Sequence, residues 1–323
     1  MAIPDDDLIL PFSVDALNVR GRVAQLGPSL DAILSRHDYP APVSRVLGEA
    51  VMLTVLLATA IKLDGRFVLQ MQSDGPVSLV VADFSAPNRL RGYARFDTEA
   101  VARVAMNGAV PPLPALVGSG HLALTIEPGA TMRRYQGVVP LEGASLEEVA
   151  HTYFTQSEQI PTLIRLAVAE TMVRGADGTP HRSWRGGAIS VQFLPDSPGR
   201  IARRDLDPGD APAGTPSAVV QDDDAWVEAR ARTETVEDHE LIDPEIDPAR
   251  LLLRLFHQRE VRVYDPIGIV EKCHCSRERV ETMLKQFGEE DRRSMVEDGK
   301  VVVTCEFCNT RYTLDPAEIG VSG

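Results

Sequence analysis

The sequence predicts an α+β protein: sheets packed around a buried central helix, then an acidic linker and a small carboxy-terminal unit. Three observations carry this. The stretch 42–61 has a helical pattern, and its second half is apolar on every face, as in a helix buried on all sides. Strand-like runs follow at 67–72, 77–82, 92–96, 121–127, 136–139, 162–169 and 188–194, which suggests sheets packed against that helix. All four cysteines lie in the last fifty or so residues, after 272 residues with none.

Residues 1 to about 195 read as one domain. Ser29–His37 is a short helix stopped by Tyr39-Pro40, and the central helix begins at Pro42. Glu49 and Lys62 bracket its apolar part, and Glu49 is expected to be a paired or rim carboxylate rather than a catalytic acid. Ser73-Asp74-Gly75-Pro76 is a hairpin turn between the first two strands. Ser145-Leu-Glu-Glu148 is a capping box, opening a helix with Leu146, Val149, Ala150 and Tyr153 on one face.

Residues 196–246 change character. Asp196-Ser-Pro-Gly and 205–216 are rich in Pro, Gly and Asp, as a flexible linker would be. Between 205 and 250, 14 Asp and Glu stand against three Arg, a net of −11 within a chain of −14. Residues 225–236 have helical potential, but Trp226 and Val227 are their only large apolar residues before Val236. High charge with little apolar surface makes a folded state marginal, so a solvated spacer is expected.

The terminal unit, 247–323, begins at Asp247-Pro248, an N-cap followed by proline at the first helical position. Leu251–Phe256 gives it an apolar helix face, and Ser276 caps a helix carrying Val280, Met283, Leu284 and Phe287. A further helix, 289–296, ends at Asp298-Gly299, and strands at 300–304 and 311–314 form a hairpin. Cys305 and Cys308 lie on its turn.

Cys273-His-Cys275 and Cys305-Glu-Phe-Cys308 are two close pairs 29 residues apart. That spacing makes a four-thiolate tetrahedral site of the kind that holds structural Zn²⁺. The C-x-x-C pair has the usual knuckle spacing. The C-x-C pair is less usual, and thiols one residue apart also react readily with each other once a metal leaves. A purely structural zinc site and a redox-switched one both remain open on spacing. His274 is expected to be a bystander among four thiolates.

Composition narrows the function. A net charge of −14 and a pI near 5.0 argue against a nucleic-acid groove, which needs clustered Lys and Arg. The acidic start, Met1-Ala-Ile-Pro-Asp-Asp-Asp7, has no apolar region of a signal peptide, and the apolar run Ala50–Ile61 is short for a bilayer. A soluble cytoplasmic protein is expected, in which ordinary disulfides are not. There is no phosphate-binding G-x-x-x-x-G-K-[ST], no G-x-S-x-G and no H-E-x-x-H, and the histidines are dispersed. A non-enzymatic role follows as the expectation.

The chain resembles the Hsp33 family of redox-regulated holdase chaperones along essentially its whole length. The resemblance is carried by Val19–Arg22, Ile33–Pro40, Leu47-Gly48-Glu49, Gln72–Val77, Arg91–Arg95, Cys273–Arg279 and Cys305–Cys308. One departure is the long acidic, proline-rich middle, which looks expanded. The resemblance implies that Cys273, Cys275, Cys305 and Cys308 bind one Zn²⁺ in a reduced, inactive, monomeric state. Oxidants would form Cys273–Cys275 and Cys305–Cys308 disulfides, the latter first, with loss of zinc and unfolding of the terminal unit and linker. The active form, a homodimer, would bind unfolding client proteins without ATP, nucleic acid or membrane. The competing readings are a zinc-ribbon nucleic-acid module and a thiol–disulfide oxidoreductase.

Overall fold

The structure, a computed structural model, describes residues 6–106, 110–129, 134–174, 179–194 and 223–321. The first half of the expected linker, 196–222, lies outside the described residues. In chain order the elements are β1 (Asp7–Val14), β2 (Val19–Leu26), α1 (Pro28–Leu34), α2 (Ala41–Ala60), β3 (Gly65–Ser73), β4 (Val77–Ser85), β5 (Arg89–Phe96), α3 (Thr98–Val104) and α4 (Leu113–Val117). There follow β6 (Gly120–Pro128), β7 (Tyr135–Pro140), α5 (Leu146–Tyr153), β8 (Thr162–Arg174), β9 (Pro180–Phe193), α6 (Asp224–Glu234), α7 (Asp238–Ile242) and α8 (Pro248–Phe256). The chain continues with β10 (Val261–Val263), β11 (Ile267–Gly268), β12 (Val270–Glu271), α9 (Arg277–Leu284), α10 (Glu289–Ser294), β13 (Val301–Thr304) and β14 (Arg311–Leu314).

Two six-stranded sheets enclose α2. One runs β10-β1-β2-β9-β8 with β11 also on β1, and the other runs β12-β5-β4-β3-β6-β7. The helix meets β2, β8 and β9 of the first and β3, β4 and β5 of the second. Val43, Leu47, Val51, Leu53, Val55 and Leu56 are all solvent-free, as expected for a helix apolar on every side. At 20 residues α2 is longer than the run Ala50–Ile61 suggested, and it is long and apolar enough to cross a bilayer. Its most apolar window is nevertheless 78% buried within the protein.

The β3–β4 hairpin turns at 73–76, and Ser145 Oγ accepts the Glu148 N–H at 3.3 Å to open α5. The other half of that box reaches one residue back, since Glu148 Oε2 accepts the Ala144 N–H at 2.7 Å. Strands β1 and β2 were not legible, because Pro11, Gly21 and the arginines of β2 break their alternation. Asp7, at the start of β1, ties the sheet to α1 by accepting from the backbone N–H of Gly27 and Ser29 and from the Ser29 hydroxyl.

The outer face of the first sheet is not open. Leu10, Phe12, Val23, Leu163, Ile189 and Val191 share one buried cluster with Trp226, Ala229, Val236, Leu241, Leu252 and Phe256. Residues 223–246 are therefore packed against this sheet and are not a solvated spacer. The sequence reading went wrong because the apolar complement of so few linker residues is supplied by distant strands. Helix α8, expected to serve the terminal unit, packs here too, and β10–β12 add edge strands to both sheets. The terminal unit's own core is six buried side chains: Val280, Leu284, Val301, Leu314, Ile319 and Val321.

Candidate metal centre

The cysteines are delivered by two local structures. Strand β12 runs parallel to β5, and Lys272 N–H donates to Leu90 O at 3.0 Å immediately before Cys273. After Cys275 the chain turns into α9, where Ser276 Oγ accepts the Arg279 N–H at 3.3 Å. The second pair sits on the β13–β14 turn, closed by Cys305 N–H to Thr310 O and Asn309 N–H to Cys305 O, both 2.9 Å. Asn309 takes the left-handed conformation (φ 56°) that this turn requires.

These two pieces bring all four sulfurs within 4.8 Å of one another. The Cys273–Cys305 separation is 3.7 Å and the Cys275–Cys308 separation 3.3 Å. A tetrahedral zinc thiolate site with ~2.3 Å bonds has sulfur–sulfur edges of ~3.8 Å, so the residues present fit the metal. Burial pushes the Cys275 thiol up to about 12, against the hydrogen bond it accepts from the Tyr312 hydroxyl at 3.1 Å. Burial also acts on Cys308, but hydrogen bonds with Thr310 and the neighbouring thiols outweigh it and hold Cys308 at about 7. A cation bound among the thiols would favour the thiolate at every position.

His274 points away from the sulfurs, with Nε2 3.0 Å from Ser85 Oγ on the core. It belongs to a docking surface that the sequence reading did not assign. Asp83, fully buried, binds Arg66 and Arg91. Burial acts to raise its carboxyl, but the hydrogen bonds and charges of the two guanidiniums keep it below the ordinary range. Arg91 carries its guanidinium 3.9 Å from the centre of the Phe307 ring, with Nη1 4.0 Å from Cys273 Sγ. Arg36 pairs with Glu271 through two 2.6 Å bonds, and Asn309 Nδ2 donates to Arg36 O at 3.1 Å. A cleft of about 390 Å³ lined by Arg66, Arg91, His274, Cys275 and Arg279 opens the site to solvent. Arg91 lay in a segment that carried the family resemblance, but nothing in the sequence placed it beside the cysteines.

Glu49 is a paired carboxylate, as expected, with Arg45 Nε 3.6 Å away. It is not part of this centre.

Residues 7–315 match the family model described as Hsp33 protein. The 33 kDa chaperonin of Caulobacter vibrioides strain NA1000 is 41% identical over 312 residues, covering 96% of this chain and 95% of the relative. That of Pseudomonas putida strain F1 is 34% identical over 319 residues, covering 98% and 93%. In structure, the chain is similar to the 33 kDa chaperonin (heat shock protein 33 homolog) of Thermotoga maritima. The TM-score is 0.69 at 20% identity, with 97% of this chain and 96% of that one covered, which bears on the fold alone.

Proposed function

The chain belongs to the Hsp33 family of chaperones, and on that premise we propose that it is a redox-regulated, ATP-independent holdase rather than an enzyme. The observation that carries the proposal is the joint placement of two features. The thiols form one tight cluster, and the chain leading to it covers an apolar sheet face with helices too short to stand alone. Helices of 11, five and nine residues depend on tertiary packing for their stability.

In the resting state Cys273, Cys275, Cys305 and Cys308 would hold Zn²⁺. When bound, the metal supplies folding free energy to a unit whose core is only six side chains, on the order of 10 kcal/mol in comparable sites. Oxidation of each pair by hydrogen peroxide consumes two thiols and one peroxide and yields one disulfide and two waters. We assign the pairs as Cys273–Cys275 and Cys305–Cys308. A disulfide sulfur has lost the thiolate charge that holds the metal. The terminal unit then loosens, the edge pairings of β10–β12 weaken, and α6–α8 leave the sheet.

The exposed face, with Leu10, Phe12, Val23, Ile189 and Val191, would bind unfolding client proteins in the cytoplasm, with the oxidised chain as a homodimer. We keep 1–195, 196–246 and 247–323 as core, linker and switch, with α8 acting alongside the linker helices. The test is suppression of aggregation of a thermally unfolding protein. Activity is expected after peroxide with mild heat and absent after dithiothreitol. Equal activity in both states would overturn the redox reading.

A further inference from the structure

We propose that Arg91 is the positioning residue through which the core domain reads the state of the four-cysteine site. The proposal rests on the redox reading above and names its coupling element. Arg91 stands on β5 with its side chain 14% exposed, and Asp83 holds its Nε at 2.8 Å and Nη2 at 2.6 Å. Held in this way, the guanidinium cannot swing without giving up two charge-assisted hydrogen bonds to a buried carboxylate, which would then keep only Arg66. The remaining arm, Nη1, lies 4.0 Å from Cys273 Sγ, and the guanidinium lies over the ring of Phe307 at 3.9 Å. Phe307 stands between Cys305 and Cys308.

One core side chain therefore touches both halves of the site. Ser85 meets His274, His37 meets the Phe307 carbonyl and Arg95 meets Glu306, each on one half, while Arg36 joins Glu271 by its side chain and Asn309 by its backbone carbonyl. The Arg95–Glu306 pair is more than half exposed and holds little. The Arg91 contact is directional, because a guanidinium gains from an aromatic ring only when it faces the π surface.

Phe307 is positioned by the 305–308 turn, closed by the Cys305 and Asn309 backbone bonds, and by the ring of Tyr93 at 6.1 Å. Closing Cys305–Cys308 brings the two sulfurs to ~2.05 Å and re-aims the residues between them. The two thiols pass two electrons and two protons to hydrogen peroxide, which leaves as two waters. Arg91 then loses the ring, and once Cys273 is also oxidised it loses its second partner. The pairing beside it is the parallel β5–β12 contact, where Val270 N–H donates to Asn88 O and Lys272 N–H to Leu90 O, both at 3.0 Å. Release of that strand is how the site's chemistry reaches the core.

The test uses the full chain, reduced and zinc-loaded, with Arg91→Lys, Phe307→Leu and the double variant. Lysine keeps the charge without the planar fork, and leucine keeps apolar bulk without the π face. Metal content is expected to match the parent. The amides of Val270 and Lys272 are expected to exchange about tenfold faster in each single variant, and in the double by clearly less than the two effects combined, because both changes break the one Arg91–Phe307 contact they share. Parent-like exchange in either single variant, or additive effects in the double, would overturn the coupling role. So would loss of zinc from both single variants, which would place the pair in metal retention instead. No oxidant is used, so this outcome is separable from failure of the redox reading, which would show as a parent chain left inactive by peroxide.

Discussion

A Cβ added to Gly187 would lie 2.0 Å from the carbonyl oxygen of Leu241, so the linker backbone rests directly on the backbone of strand β9. Gln25 Nε2 donates to that same carbonyl at 3.3 Å and to Ile246 O at 3.0 Å, and Arg185 Nε donates to Ile242 O at 2.9 Å. The last carbonyls of α7, which a helix leaves without partners, are thus satisfied by core side chains. Only glycine permits that approach. Gly187→Ala is expected to weaken linker docking by about 1–3 kcal/mol. Hydrogen exchange should show faster opening of 238–246 in the reduced protein with the central helix α2 unchanged. Unchanged protection of 238–246 would contradict the anchor.

Trp226 is the largest linker side chain in the sheet contact, 6% exposed with its ring centroid 6.1 Å from that of Phe193. Truncating it to alanine is expected to cost up to about 3–5 kcal/mol, more than an isolated 11-residue helix can supply. The reduced, zinc-loaded Trp226→Ala chain should then suppress aggregation without oxidant. If it stays inactive while the linker is shown to be undocked, the covered face is not the client surface.

The Glu49 carboxyl is pushed up to about 7, first by burial and then by Glu147 and by Asp238 of the linker, with Arg45 opposing. A carboxyl raised in the folded state contributes stability that is complete below its unfolded pKa of ~4.5 and is lost as pH rises through about 7. The side chain is 22% exposed, so solvent limits the effect to about 1–2 kcal/mol. Glu49→Gln should raise the melting temperature at pH 8 and leave it nearly unchanged at pH 4.5. An equal shift at both values would mean that Glu49 does not titrate in this window.

Cys273–Cys305 and Cys275–Cys308, which cross between the two pairs, are 3.7 and 3.3 Å apart, and all four sulfurs lie within 4.8 Å, so proximity in the resting site does not select partners. Selection falls to chain connectivity as the unit loosens, which favours cysteines one and two residues apart. Peptide mapping after peroxide is expected to find Cys273–Cys275 and Cys305–Cys308, with the second formed earlier because C-x-x-C closes with less strain. Predominant links between the two pairs, 273–308 and 275–305 or 273–305 and 275–308, would contradict this.

The elements whose information is local were legible: the all-apolar α2, the turn at 73–76, the Ser145 cap and the cysteine knuckles. The misreadings concern residues whose meaning depends on distant strands. Helix α6 looks too polar to fold until Phe193 and the β1–β2 face are set against Trp226. Arg91 is one of many arginines until the fold brings it to 4.0 Å from a sulfur 182 residues away in sequence. Strands β1 and β2 are sheet-forming mainly because partners lie on both of their edges, which no local alternation records.

The central claim is that loss of the metal site and uncovering of the sheet are one event. With Trp184 replaced by phenylalanine, Trp226 is the sole tryptophan of the chain and reports linker docking by its emission. Zinc release to a chromogenic chelator, Trp226 emission and aggregation suppression would be followed together after peroxide with mild heat. The account predicts that stoichiometric zinc leaves, the emission shifts red and activity appears in one common phase, and that dithiothreitol with zinc reverses all three. Activity that appears while zinc stays bound, or zinc that leaves with Trp226 still buried and no activity gained, would contradict it.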